Sequence, residues 1–194
     1  MERSALMEQH QTIESVLDGC RQGDRDSFRV LFETYKDRVF SIAIYSLHGD
    51  EAAARDVTQQ VFLKLMSAIK QFRGDSEFTT WLYRVVINVC ADEQRGRRRF
   101  LPLGESMRMN SVADRRPQER TYARAEIAAS VRKAIAELKP KFRLPILLKY
   151  IEGLSYDEIA AVLGCSKGTV ASRLNRGHKK LASRLDNLRN QLSS

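Results

Sequence analysis

Between Lys167 and Lys180 the chain carries Lys167, Thr169, Ser172, Arg173, Asn175, Arg176, Lys179 and Lys180, and no carboxylate. An arginine can grip guanine through two hydrogen bonds, and an asparagine can grip adenine in the same way. Lysines mostly serve phosphates. The chemistry on offer is recognition of nucleic acid, not bond breaking. Other chemistries find little support. His10, His48 and His178 are scattered, and no glycine-rich phosphate loop or carboxylate cluster occurs. Asp75 and Glu77 near Trp81 imitate an acid pair, but a helix start is the simpler account. Cys20, Cys90 and Cys165 lack the paired spacing of a zinc site or disulfide framework. The expectation is no catalytic residue, no metal, no cofactor and no small-molecule substrate.

The basic stretch needs a helix to present it. Ser155 can cap a helix, and Glu158 three residues on completes a capping box. Ile159, Ala160 and Leu163 give that helix an apolar stripe. Gly164 suits the left-handed position that ends it. Ser166 can cap the next helix, whose inner face is Val170, Leu174, Leu181, Leu185 and Leu188. Two helices joined by a short turn predict a helix-turn-helix over about 155–181, with the second helix in the major groove. An amphipathic helix with a solvated basic face is the plainer alternative.

The rest of the 194 residues is organised around the same helical period. Lys and Arg total 33 against 24 Asp and Glu, net +9 with a pI near 9.7, which favours a polyanionic partner. The excess is local. Residues 26–94 hold eight basic and ten acidic groups, Arg95, Arg97, Arg98 and Arg99 follow, and 125–194 hold thirteen basic and six acidic groups. No apolar run approaches the roughly 18 residues of a membrane span, and Met1–His10 lacks a signal-peptide core, so a cytoplasmic protein is expected.

Phe28, Leu31, Phe32, Tyr35, Val39, Phe40 and Ala43 form a first stripe after Gly23-Asp24. Asp50 can cap a second helix bearing Val57, Val61, Phe62, Leu65 and Ile69. Gly74 ends that unit, and a third helix holds Phe78, Trp81, Leu82, Val85, Val86 and Val89. Residues 100–120 lose periodicity. It resumes at Ile127, Val131, Ile135 and Leu138, and Pro140 opens a helix with Phe142, Ile146, Leu147 and Tyr150. The fold class expected is all-α, with two small helical domains at 1–99 and 123–194 joined by a flexible linker at 100–122.

These residues resemble a known family. Glu152–Leu181, EGLSYDEIAAVLGCSKGTVASRLNRGHKKL, looks like region 4 of an extracytoplasmic-function (group IV) sigma factor of bacterial RNA polymerase. Asp56–Leu65, DVTQQVFLKL, resembles region 2.2. Phe72–Asn88, FRGDSEFTTWLYRVVIN, resembles regions 2.3–2.4. The resemblance spans about 12–190. It implies an initiation subunit whose region 2 docks on the clamp helices of core polymerase and captures the minus-ten element as single strand. Region 4 would bind the minus-thirty-five duplex and the polymerase flap. An anti-sigma factor, often membrane-anchored, is the further implied partner.

On that footing Asp56, Gln59, Gln60, Phe62 and Lys64 are the polymerase-docking candidates. Phe72, Arg73, Asp75, Ser76 and Phe78 can form a base-capturing loop. Trp81 and Arg84 follow on the next helix, Asn88 is carried over by position, and Arg95 would hold phosphate. Relatives usually have an acid where this chain has Gln60, a basic residue at Ala171 and an arginine at His178, so the docking and upstream contacts lose charge. A stand-alone helix-turn-helix regulator is the alternative; it calls for a sensor pattern before residue 120, and none is visible.

Overall fold

The computed structural model describes residues 12–100 and 130–192. The expected linker beyond residue 100, together with His10, Ile127 and the side chains of Arg98, Arg99 and Leu188, lies outside them. The described residues are all-helical, and none of their helices is long and apolar enough to cross a membrane.

The N-terminal half is a four-helix bundle. Helix α1 (Ile13–Gln22) is capped by Thr12 and buries Val16, Leu17 and Cys20. The sequence reading passed over it, because its short stripe is followed at once by a stronger one. Helix α2 (Arg25–Ser46) starts on Asp24, whose carboxylate accepts from the Ser27 amide at 2.9 Å. Helix α3 (Glu51–Ala68) starts on Asp50, which accepts from the Ala53 amide at 3.0 Å. A 3-10 turn (Ile69–Gln71) leads to the loop before α4 (Phe78–Phe100). Leu31, Val39, Ala43, Val57, Val61, Leu65, Leu82, Val86 and Val89 form the shared core.

The C-terminal half begins with a helical stretch described over 130–136 (α5). Helix α6 (Pro140–Tyr150) opens on its proline, where no amide hydrogen is needed. Helix α7 (Tyr156–Leu163) carries the full capping box of Ser155 and Glu158. Gly164 ends it at φ 60°, a left-handed conformation that a side chain would strain. Helix α8 (Lys167–Leu192) crosses α6 at Gly177, where an added Cβ would fall 2.9 Å from Ile146 Cδ1. Ile159, Val162, Val170 and Leu174 are buried; the inward residue late in α7 is therefore Val162, and Leu163 is only half-buried.

The halves touch. Helix α7 packs on α4, and α6 packs on α2. That arrangement was not foreseen from the sequence.

Candidate nucleic-acid interface

The turn between α7 and α8 sets the first surface. The Thr169 amide donates to Ser166 Oγ at 3.2 Å, which satisfies the first turn of α8. Thr169, Ser172, Arg173 and Arg176 then line an open groove with Ser166, Lys141 and Phe142. They recur at three- and four-residue steps on one face of the helix. Asn175 sits roughly a third of a turn away from the Thr169–Arg176 row. It shares a second exposed row with Ser172 and Lys179.

Not every expected cation is free for DNA. Lys167 Nζ is 2.8 Å from Asp157 Oδ2 across the turn. Arg173 is half-buried, with Nη1 pointing at Cys165 Sγ at 3.7 Å. Arg176 and Lys179 are exposed, and Lys180 lies over the Phe142 ring, 5.8 Å from its centre. Lys141 was missed in the sequence. It stands apart from the basic run, and only the α6–α8 packing brings it to the groove.

The second surface lies on α4 and the loop before it. Phe72 and Phe78 are buried, and with Trp81 they form an aromatic cluster with ring centres 5.3–5.9 Å apart. Tyr35 closes it from α2, and Arg21 of α1 donates to the Phe72 carbonyl at 3.1 Å. Phe72 and Phe78 therefore set the loop from below. Arg73 and Asp75 are its exposed members, and Ser76 is half-buried. Along α4, Trp81, Arg84, Asn88 and Arg95 fall on one stripe, all exposed except the half-buried Trp81. Arg95 pairs with Asp92, and Arg84 Nε donates to the Ala161 carbonyl of α7 at 2.8 Å. Arg97 is engaged inside the protein, 2.6 Å from Asp50 Oδ2 and 2.7 Å from Glu93 Oε1.

A third surface is apolar. Phe32, Phe40, Arg55, Thr58, Gln59, Phe62, Leu63 and Met66 line a groove between α2 and α3. Phe32 and Phe62 meet edge to face at 4.8 Å. Leu63 is 58% exposed and Met66 53%. The expected docking residues divide around it. Gln59 and Phe62 line the groove, Asp56 and Gln60 lie exposed on the adjoining flank, and Lys64 turns toward α4, 3.8 Å from Asp92. Leu63 and Met66 were missed, although both fall outside the Val57, Val61, Leu65 stripe and so had to face outward.

Residues 31–100 match the family profile "Sigma-70 region 2", and 128–181 match "Sigma-70, region 4". The RNA polymerase sigma-H factor of Pseudomonas aeruginosa is 32% identical over 176 residues, covering 87% of this chain and 91% of that protein. The chain belongs to the extracytoplasmic-function sigma factors of the sigma-70 family. Another relative of this sigma factor is SigW of Bacillus subtilis, 31% identical over 87% of this chain and 94% of SigW. Among solved structures, CnrH in complex with the cytosolic domain of CnrY superposes with TM-score 0.65 at 28% identity, covering 89% of this chain and 96% of that one. RpoE of Bartonella quintana, in complex with the anti-sigma factor NepR, gives TM-score 0.67 at 25% identity, with 82% and 96% covered. In family terms, α2–α4 carry region 2 and α6–α8 carry the core of region 4.

Proposed function

We propose that this sigma factor binds core RNA polymerase in the cytoplasm and directs initiation at promoters with paired minus-ten and minus-thirty-five elements. In this reading 1–99 dock on the clamp helices and hold the minus-ten strand, 100–122 tether, and 123–194 read the minus-thirty-five duplex and meet the flap. The observation that carries it is the pairing on one chain of an acid-free basic groove at Thr169–Arg176 with the separate Trp81–Asn88 stripe on α4. A regulator acting alone would need only the first.

The groove residues divide by chemistry. Arg176 is exposed and unpaired by any carboxylate in the described contacts, so it reads a base edge. Lys141, Lys179 and Lys180 set the phosphate register. On α4, Trp81 supplies a stacking face at the edge of a buried aromatic cluster, and Asn88 donates to an unpaired base. The apolar groove around Phe62, Leu63 and Met66 is the polymerase-docking face. It also suits an apolar helix of an anti-sigma factor, which by covering it would keep the protein from polymerase.

The test is a gel-shift series on promoter fragments with the chain alone, core polymerase alone, and both. The reading expects a specific complex only with both. A specific nanomolar complex from the chain alone would support the stand-alone regulator instead.

A further inference from the structure

We propose that Arg21 of α1 is a positioning residue for the loop 73–77, holding the loop's entry and, through it, the base preference of the minus-ten site. Helix α1 precedes the residues that match region 2. Arg21 stands in its last turn, where any cation offsets the negative end of the helix. That role needs no contact beyond α1, yet Arg21 makes two. Its Nη2 donates to the Phe72 carbonyl at 3.1 Å, 51 residues away in sequence. Its guanidinium carbon lies 5.9 Å from the centre of the Phe72 ring. Asp18, one turn back, accepts from Nη1 at 2.5 Å and fixes the direction of the fork.

Phe72 is where the loop begins. Its amide donates to the Ile69 carbonyl at 3.1 Å, its ring is buried against Phe78 and Trp81, and its carbonyl is the group that Arg21 takes. The loop ends at Phe78, whose ring is buried against Tyr35. Five residues therefore span two anchored rings whose centres are 5.7 Å apart. Between the anchors Gly74 turns the chain at φ 79°, and Arg73, Asp75 and Glu77 are exposed. No loop side chain bonds back to the bundle in the described contacts, so the two ends set the loop's shape. A short loop with fixed ends keeps few conformations, and donors fixed in place discriminate better than donors that must be ordered on binding. Loss of Arg21 frees the entry carbonyl and leaves the ring packing, so the loop loosens while the bundle stands. The tie is a matter of geometry alone; that it governs base preference rests on the proposed function.

Trp81 is the chain's only tryptophan, and its ring centre is 5.3 Å from that of Phe72. In the free full-length chain, Arg21→Ala should raise acrylamide quenching of Trp81 with the helical circular dichroism unchanged. Thr12→Ala, which removes the cap at the other end of α1, should leave quenching as in the parent. Each protein is then joined to core polymerase and offered a single-stranded DNA pool of random sequence, and the captured strands are sequenced. Arg21→Ala should cut the enrichment of the parent's most selected base about tenfold, while Thr12→Ala keeps it. Unchanged quenching in Arg21→Ala overturns the tie. Increased quenching with the enrichment intact, or an equal loss of enrichment in Thr12→Ala, overturns the positioning role. A parent holoenzyme that enriches no base counts against the proposed function and takes the claim on base preference with it; the quenching comparison still decides the tie.

Discussion

Arg143 Nη2 donates to the Ser46 carbonyl at 2.9 Å across 97 residues of chain. Burial draws the Arg143 pKa down to about 10, so the group stays charged at neutral pH. Its fork spans two carbonyls that a lysine ammonium, a single point on a flexible stem, cannot satisfy together. Arg143→Lys should therefore cost nearly as much stability as Arg143→Ala, about 2–4 kcal/mol for each by urea unfolding. A lysine variant within experimental error of the parent would contradict this role.

Leu63 sits on the rim of the apolar groove and takes no part in the core. Leu63→Asp should weaken binding to core polymerase by at least about tenfold and leave the melting temperature unchanged. Phe62 is half-buried against Phe32, so Phe62→Asp should lower both. Normal polymerase capture by Leu63→Asp would move the docking face elsewhere.

Arg176→Ala and Lys141→Ala should separate base reading from phosphate holding. The first should flatten discrimination among upstream promoter sequences, by about 1–3 kcal/mol at one base position. The second should weaken all sequences alike and reduce the salt-dependence slope of holoenzyme binding by about one. Equal sequence preference before and after Arg176→Ala would remove it from the reading row.

Asp50 offers a pH test. The Ala53 amide, and then Arg97, hold its carboxyl below the usual carboxylate range. A depressed folded pKa means that its stabilisation is complete above the unfolded value of about 3.9. It is lost as pH falls through the lower folded value. Asp50→Ala should cost about 1 kcal/mol at neutral pH, and the gap from the parent should close as the pH drops below about 4. A gap that is constant with pH would mean that the carboxylate charge does no work there.

The caps and the turn of the helix-turn-helix were legible because their signals are local, although the inward residue late in α7 is Val162 and not Leu163. Ser155, Glu158 and Ser166 each accept from an amide three residues away, Gly164 donates its own amide to the Ala160 carbonyl, and the structure uses each as its type requires. Asp50 and Pro140 were legible for the same reason. What sequence could not supply depends on packing between distant segments. Phe32 shares a helical stripe with Leu31 and Tyr35, yet it is 39% exposed, because it sits one residue round from the buried Leu31–Tyr35–Val39 line, at the stripe's edge against Phe62. Phe72 and Phe78 looked like base-contacting aromatics, and only the α1 and α2 contacts show them buried. Lys141 joins the groove, and Arg97 leaves the list of free cations, through contacts that no periodicity encodes.

If this chain gives polymerase its choice of promoter, transcript starts must depend on it. The direct measurement is to add purified chain to sigma-free core polymerase on fragmented genomic DNA and map transcript starts. New starts should cluster downstream of a shared pair of spaced elements and be lost together on Asn88→Ala or Arg176→Ala. Starts no different from those of core polymerase alone would contradict it.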